Sequence, residues 1–366
     1  MDSTLSLPLK GLKVLELATV LAGPAVGMFL AELGAKVIKI ENLTTNGDVT
    51  RSWKLTTEDP NWAYSAYYCS VNWGKEILLM DLNQAQNLAW LQEQIKTTDI
   101  VLANFKPESA RRMGLDYASL AKLNPQLIYG DITGYGSGDE RPAFDMVLQA
   151  EAGFLYMTGE KNGAPVKMPV ALIDLLAAHQ LKEGILLALL QKEKTGLGTK
   201  VTVSLYDTAL ASLANQATNW LIAGKIPQRM GTLHPNIAPY GELLECNDGG
   251  QIVLAVGNDR QFQLLCKTLD LEDLAQTPQY SDNKQRVLNR QELFVQLQAK
   301  AGQFSREELL NKLHQMGVPA GAVRTMPEVF AESAAQELLL HWALPDGTEV
   351  RSVRSVVFEL EQNPNE

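Results

Sequence analysis

One carboxylate stands in an otherwise apolar stretch, MPVALIDLLAAHQ, where Asp174 precedes an apolar helical pattern. An acidic residue in such surroundings needs a reason, because carboxylates are rarely buried without a partner. One reason is structural, since an aspartate just ahead of a helix caps free backbone N–H groups. The other is chemical, since a carboxylate can attack a thioester and form a mixed anhydride. Both roles stay open, and in either case the helix N-terminus is expected to keep Asp174 ionised at neutral pH.

A glycine-bearing turn near the N-terminus is the second feature that could do chemistry. Pro24 and Gly34 bracket a predicted helix, which lies between predicted strands at residues 14–17 and 36–41. Such a βα turn points backbone N–H groups at the sheet edge, where an anionic or phosphorylated ligand can bind. The glycine spacing Gly23-x-x-x-Gly27 departs from the dinucleotide fingerprint Gly-x-Gly-x-x-Gly. A nicotinamide oxidoreductase is therefore a poor interpretation.

Composition restricts the class of protein. The 366 residues include 32 Lys and Arg and 42 Asp and Glu, giving a net charge of −10, with 46% hydrophobic and 20% charged residues. This is an ordinary globular composition, long enough for two domains. The acidic balance argues against nonspecific nucleic-acid or membrane binding. Cys69, Cys246 and Cys266 are too far apart for a metal-binding motif and indicate reduced thiols, so a cytoplasmic protein without a metal is expected.

The elements that must position these residues alternate between strand and helix up to about residue 205. This alternation favours an α/β fold with a parallel sheet. A long apolar helix is predicted at residues 175–192, directly after Asp174. From about residue 225 the pattern changes to short strands and turns, which indicates a second region. Near the end of the chain, residues 353–358 predict a last strand.

A series of short motifs, in order along the chain, resembles the class III CoA-transferases. This family includes formyl-CoA:oxalate, carnitine and succinyl-CoA-dependent transferases, and α-methylacyl-CoA racemases are its relatives. The resemblance covers most of the chain, so it is specific for the superfamily and much less so for the substrate. It rests on LAGPAVGMFLAELGAKVIKIE, the following Gly47-Asp48-Val49-Thr50-Arg51, Asn72–Lys75, Asn104–Pro107, Arg112–Leu115, Phe144-Asp145, Asp174, and residues 234–240 and 256–260.

The resemblance implies a domain arrangement and an assembly. Residues 1–210 would form the first part of a large Rossmann-like, CoA-binding domain, and 330–366 would return to it. Residues 225–325 would form a smaller α+β domain. Family members form interlocked dimers, so a homodimer is expected. Acyl-CoA and carboxylic acids are the expected substrates, coenzyme A thioester being a substrate rather than a permanently bound cofactor.

The resemblance also implies a catalytic mechanism. The family's catalytic aspartate falls on Asp174, which favours the nucleophile over the cap. An acyl-aspartyl anhydride and then an aspartyl-CoA thioester would carry CoA from an acyl-CoA donor to an acceptor acid. Gly257 and Asn258 match a mobile glycine loop, whose backbone donors would stabilise the oxyanions of these steps.

The implied acyl pocket consists of Leu21, Phe144 and Asp145. Formyl-CoA transferases carry glutamine and tyrosine in place of the first two, so a formyl-CoA:oxalate enzyme is not expected and the pocket should be less polar. Racemase relatives carry a histidine where this chain has Phe144, and phenylalanine cannot take a proton. A racemase or epimerase is therefore an alternative, and Phe144 argues against it. A catalytically inactive CoA-binding homologue is the other alternative.

The implied CoA site contains both side-chain and backbone groups. Arginine suits a phosphate contact through its fork of donors, whereas solvated surface charge is the simpler interpretation of Lys75. Asn42 stands where formyl-CoA transferases carry a CoA-contacting arginine, so one ionic contact is absent. The residues concerned are Ala22, Lys75, Asn104, Phe105, Lys106 and Arg112.

Overall fold

The computed structural model describes residues 7–136, 138–139 and 141–360, which fold as two compact units. The larger unit takes its described residues from Met1–Phe154, Met168–Lys225 and Ala334–Glu366. The smaller unit consists of Leu155–Lys167 and Ile226–Ser333. The short segment Leu155–Lys167 thus belongs to the smaller unit, although the sequence pattern did not separate it from its surroundings.

Strands and helices alternate through the first half of the chain, which confirms the α/β class. The strands are β1 (Lys13–Glu16), β2 (Lys36–Asn42), β3 (Lys75–Met80), β4 (Ile100–Ala103), β5 (Ile128–Thr133), β6 (Lys200–Ser204), β7 (Tyr240–Glu245), β8 (Gln251–Ala255), β9 (Ala320–Ala322), β10 (Leu339–Ala343) and β11 (Glu349–Val353). The helices are α1 (Ala22–Glu32), α2 (Ala66–Cys69), α3 (Ala85–Ile95), α4 (Pro107–Met113), α5 (Tyr117–Leu123), α6 (Asp145–Glu151), α7 (Phe154–Met157), α8 (Leu172–Thr195), α9 (Leu205–Ala211), α10 (Ala214–Ala223), α11 (Asp259–Thr268), α12 (Glu272–Gln276), α13 (Asn283–Leu288), α14 (Arg290–Ala301), α15 (Arg306–Gln315), α16 (Met326–Phe330) and α17 (Ser333–Gln336).

The larger unit contains a parallel sheet of six strands in the order β3-β2-β1-β4-β5-β6. Strand β1 lies between β2 and β4, with Val14 paired to Val37 on one side and Ile100 on the other. The chain order therefore reverses between β1 and β4. Open α/β sheets bind ligands in the crevice outside the carboxyl ends of their strands at such a reversal.

Successive residues of the central strands pack into two separate cores, because side chains alternate across a sheet. Val14 packs on the face covered by α1 and α8, and Leu15 packs on the face covered by α3 and α5. Gly130 on β5 allows α8 to pack closely, since a Cβ there would lie 3.2 Å from Ile185. Helix α8, whose first turn contains Asp174, is therefore packed directly on the sheet.

The C-terminal part of the larger unit contains a hairpin, followed by a segment whose backbone is hydrogen-bonded to a side chain of α1. Strands β10 and β11 pair antiparallel, but the strand predicted at residues 353–358 is wrong, because β11 ends at Val353. Glu32 at the end of α1 instead accepts the backbone N–H of Ser355 at 2.7 Å and that of Val356 at 3.2 Å. A side-chain carboxylate thus replaces the missing strand partner.

The smaller unit is α+β, as expected. Its sheet is antiparallel, in the order β7-β8-β9, and its core includes Leu254, Phe262, Leu297 and Leu309. Helices α11, α14 and α15 supply the last three of these residues. This unit therefore has a hydrophobic core of its own.

Candidate active site

The turn after β1 is held in a conformation that its sequence disfavours. Val20 has a φ of 75°, in the left-handed region that β-branched residues rarely adopt. Asp48 accepts the Val20 N–H at 3.1 Å. Asn104 accepts the Thr19 N–H at 3.2 Å and donates to the Thr19 carbonyl at 3.0 Å. Side chains that follow β2 and β4 therefore fix the turn. Both polar atoms of the Asn104 amide bind the Thr19 backbone. Helix α1 then begins at Ala22, which is buried, rather than at Pro24.

A fully buried chain of charges lies beneath this turn. Lys39 pairs with Asp48 at 3.1 Å and with Glu16 at 2.9 Å. Lys75 donates to the same Glu16 carboxylate at 3.0 Å and to the Asn72 side chain at 2.9 Å. Burial lowers the pKa of Lys75 to about 8, partly offset by Glu16. The interpretation of Lys75 as surface charge is wrong, and its ammonium has no exposed surface for a ligand.

A cavity of about 280 Å³ opens where β4 and β5 end. Asn104, Phe105 and Lys106 line it together with Phe144 and Arg141. The structure therefore brings three residues of the implied CoA site together with one residue of the implied acyl pocket. Phe144 is 56% exposed, so it presents a large apolar surface at this edge of the sheet.

Asp174 is the third residue of α8 and is 8% exposed. The cap interpretation is wrong, because the helix begins at Leu172 and Ala171 stands at the N-cap. Within the residues that the structure describes, no group donates a hydrogen bond to the Asp174 carboxylate. Asp145, the first residue of α6, accepts the backbone N–H of Ile173 at 2.8 Å instead. The helix N-terminus is thus capped by a residue distant in sequence, and the Asp174 carboxylate is left unpaired.

The environment of Asp174 makes it a weak acid. Burial raises the pKa of Asp174 to about 7, and the negative charge of Asp145 raises it further. The prediction that the helix N-terminus keeps Asp174 ionised at neutral pH is therefore wrong. Burial and a neighbouring carboxylate outweigh the helix dipole, which already has Asp145 as its anion. A carboxylate that titrates near neutral pH is a more basic nucleophile than an exposed aspartate when it is ionised.

Tyr67 is a site residue that sequence reasoning missed. Burial raises the pKa of Tyr67, and the charges of Asp174, Asp145 and Asp48 raise it further, so its phenol lies in their field and stays protonated. Trp53 packs edge-on against it at 5.1 Å between ring centroids. The short helix α2 gives no periodic signal in the sequence, so only the fold could place this hydroxyl near Asp174.

The remaining implied residues lie in different settings. Leu21 is buried at the N-cap of α1, whereas Arg112 is exposed in the last turn of α4. In the smaller unit, Asn258 caps α11 by accepting the Gln261 N–H at 2.9 Å. Gly257 donates its N–H to the Gln261 side chain at 2.8 Å. The Gly257 donor therefore already has an acceptor in this conformation.

Within residues 7–136, 138–139 and 141–360, no three His, Cys, Asp or Glu side chains cluster in a way that could hold a metal ion. In the same ranges no helix combines the length and the apolar character that a membrane crossing requires.

Comparison with known proteins gives consistent matches over most of the chain. The family model described as CoA-transferase family III matches residues 9–366. The chain is 37% identical over 365 residues to a succinate–glutarate CoA-transferase of Agrobacterium fabrum, covering 98% of this chain and 90% of that protein. It is 37% identical over 331 residues to a succinyl-CoA:glutarate CoA-transferase of Homo sapiens, covering 89% of this chain and 74% of that one.

A solved structure agrees with these matches. A CaiB/BaiF family protein from Brucella suis has a TM-score of 0.82 and 38% identity, covering 96% of this chain and 92% of that one. The range that the family model matches includes Asp174 and the turn after β1. The chain therefore belongs to CoA-transferase family III and is a CoA-transferase.

Proposed function

We propose that this enzyme transfers CoA between dicarboxylic acids with Asp174 as the nucleophile. The observation that carries the proposal is the Asp174 carboxylate itself, buried, without a hydrogen-bond donor among the described residues, and with a pKa of about 7. A structural carboxylate would be paired, whereas a nucleophile needs a free lone pair.

The transfer proceeds through three covalent intermediates on Asp174, which are a mixed anhydride, an aspartyl-CoA thioester and a second mixed anhydride. An Asp174 oxygen attacks the thioester carbonyl of the donor, and the CoA thiolate leaves with the electron pair. The thiolate then attacks the aspartyl carbonyl of the anhydride and releases the donor acid. The acceptor carboxylate attacks the resulting aspartyl-CoA thioester, and the thiolate finally attacks the acyl carbonyl of the second anhydride, which frees Asp174. Tyr67 stays protonated in the field of Asp174, and we assign its hydroxyl as a donor to an oxyanion formed on these carbonyls.

The names of the relatives support dicarboxylic acids as the substrates. Proteins 33–37% identical to this chain are named for succinate, glutarate and oxalate. Leu21 and Phe144 give the acyl site apolar surface, which suits the methylene chain of a longer diacid such as glutarate better than oxalate.

The proposed CoA site follows the cavity at the ends of β4 and β5. Asn104 and Phe105 line this cavity, and Asn104 also holds the turn before Ala22 through the Thr19 backbone, so we assign Ala22 to the same CoA site. Lys106 and Arg112 are exposed cations nearby in sequence, and we assign them to the CoA phosphates. The oxyanion role that the resemblance implies for Gly257 and Asn258 stays a prediction. This role requires the Gly257 N–H to leave Gln261.

We further propose a homodimer in the cytoplasm. Leu187 on α8 and Leu221 and Ile222 on α10 are large apolar side chains that are 66%, 76% and 84% exposed, as expected of surface that a second copy covers. Cys69, Cys246 and Cys266 are all unpaired and buried, which suits a reducing compartment.

The test is chemical trapping on Asp174. Protein is mixed with succinyl-CoA or glutaryl-CoA and hydroxylamine, and the Asp174 peptide is examined by mass spectrometry. A hydroxamate on Asp174, absent from Asp174→Asn and present in the exposed-site control Asp207→Asn, is the expected result. Transfer that persists in Asp174→Asn would overturn the mechanism.

The alternatives predict other outcomes. A racemase would exchange the α-proton of an acyl-CoA for deuterium, but Phe144 offers no base and the relatives reported above are transferases. A CoA-binding protein without catalysis would bind CoA and leave Asp174 unmodified with every donor.

A further inference from the structure

We propose that Asp145 and Gln149 form a positioning pair that sets the orientation and the acidity of Asp174. The inference rests on the proposed role of Asp174 as the nucleophile and adds two residues that act through it. Gln149 lies outside the implied site and is fully buried, although it is polar.

Three hydrogen bonds join the two side chains to each other and to the backbone of the segment that leads into Asp174. Asp145 Oδ1 accepts the Ile173 N–H at 2.8 Å, and Asp145 Oδ2 accepts Gln149 Nε2 at 2.6 Å. Gln149 Oε1 accepts the Met168 N–H at 2.9 Å. Asp145 and Gln149 are four residues apart on α6, so their side chains lie on the same face of that helix.

This geometry fixes the nucleophile through its neighbour. Ile173 directly precedes Asp174, so the bond to Asp145 anchors the peptide that carries the nucleophile's Cα. Gln149 in turn orients the Asp145 carboxylate, and its own orientation is set by the Met168 N–H. A buried amide whose nitrogen and oxygen are both hydrogen-bonded has one stable orientation. Such fixed neighbours are needed to hold a reactive carboxylate in one position.

The two carboxylates differ in the hydrogen bonds that they accept. Asp145 accepts two hydrogen bonds, one of them from the N-terminus of α8, whereas Asp174 accepts neither. The charge of Asp145 then opposes ionisation of Asp174. Charged groups on α8 and on the elements packed against it have other settings. Asp131 on β5 pairs with Lys200 on β6, and Glu32 on α1 accepts the Ser355 N–H. Lys182 on α8 lies over the Phe29 ring, and Asp207 on α9 is exposed.

Two variants separate position from charge. Gln149→Met removes both hydrogen bonds of the amide at similar volume and keeps the Asp145 charge. We expect kcat to fall by about ten- to a hundredfold, as for a small misplacement of a reacting group, with little change in KM for the acyl-CoA. Asp145→Asn removes the charge, and we expect the pH midpoint of Asp174 trapping by hydroxylamine to move to lower pH. Asp207→Asn serves as the matched control.

The outcomes distinguish this inference from the proposed function. If the wild-type protein gives no Asp174 hydroxamate, the proposed function fails. If the wild type is trapped and both variants, folded by circular dichroism, keep its kcat and its pH midpoint, the positioning pair is refuted. A purely structural role would lower the melting temperature without moving the midpoint. If Gln149→Met does not fold, the midpoint in Asp145→Asn decides alone, and Asp145→Glu should restore part of the wild-type midpoint.

Discussion

Replacing Asp174 by asparagine should stabilise the folded protein at high pH, because ionising the buried aspartate there lowers the free energy of unfolding. Folding raises the pKa of Asp174 from 3.8 to about 7. The unfolded chain therefore loses this proton more easily than the native one, so native stability falls as pH rises between these two values and the cost is complete above the higher one. A shift of about 3 units corresponds to about 4 kcal/mol at pH 8, of which about 1.5 kcal/mol is present at pH 5.

Chemical denaturation followed by tryptophan fluorescence measures this cost. The six tryptophans all lie in segments of the larger unit, so their signal reports the unit that holds Asp174. The free energy of unfolding of Asp174→Asn should exceed that of the wild type by up to about 4 kcal/mol at pH 8, and the difference should shrink by more than half at pH 5. Asp207→Asn, an exposed control in the same unit, should show no such pH dependence. An equal effect of Asp174→Asn at both pH values, or a loss of stability at pH 8, would refute the assigned environment.

Two further substitutions test the elements that position the site. Val20→Gly should stabilise the protein by about 1 kcal/mol, because relief of left-handed strain outweighs the greater freedom of glycine in the unfolded chain. A marked loss of stability in urea denaturation would show that the turn is not strained. Glu32→Ala should destabilise the larger unit by about 3 kcal/mol and speed proteolysis after residue 354, since charge-assisted hydrogen bonds to Ser355 and Val356 are lost. Glu32→Gln, which keeps an acceptor, should cost less, and equal proteolysis of all three proteins would contradict this account.

The sequence predicted the sheet well because the signals were local. Apolar runs at residues 14–17 and 36–41 each match a parallel strand to within two residues. The long helix after Asp174 was also recognised, although it begins at Leu172 rather than at residue 175. Apolar periodicity and strand–helix alternation depend on neighbours in the chain, so a single sequence carries them.

The wrong predictions share a different cause, which is contact between distant segments. Asp174 looked like a cap because Asp145, which caps α8 in its place, lies far back in the chain. Lys75 looked like surface charge because its partner Glu16 is on β1. Tyr67 gave no signal because its proximity to Asp174 exists only in the fold. Polar side chains in a folded core are satisfied by whatever the topology brings to them, and spacing along the sequence does not specify that.

The structure gives the cap of α8 to Asp145, which leaves the nucleophile as the proposed role of Asp174. A carboxylate that capped α8 would be stabilised as an anion, and a stabilised anion is a poor nucleophile toward a thioester. Asp145 takes the cap, so Asp174 keeps the basicity that burial gives it. A higher pKa makes the ionised form more nucleophilic but less abundant, and the product of the two is greatest when the pKa lies near the working pH. At the first turn of α8, Asp145 from α6 thus stabilises the helix, and Asp174, which accepts no hydrogen bond from the described residues, is the carboxylate we propose to react.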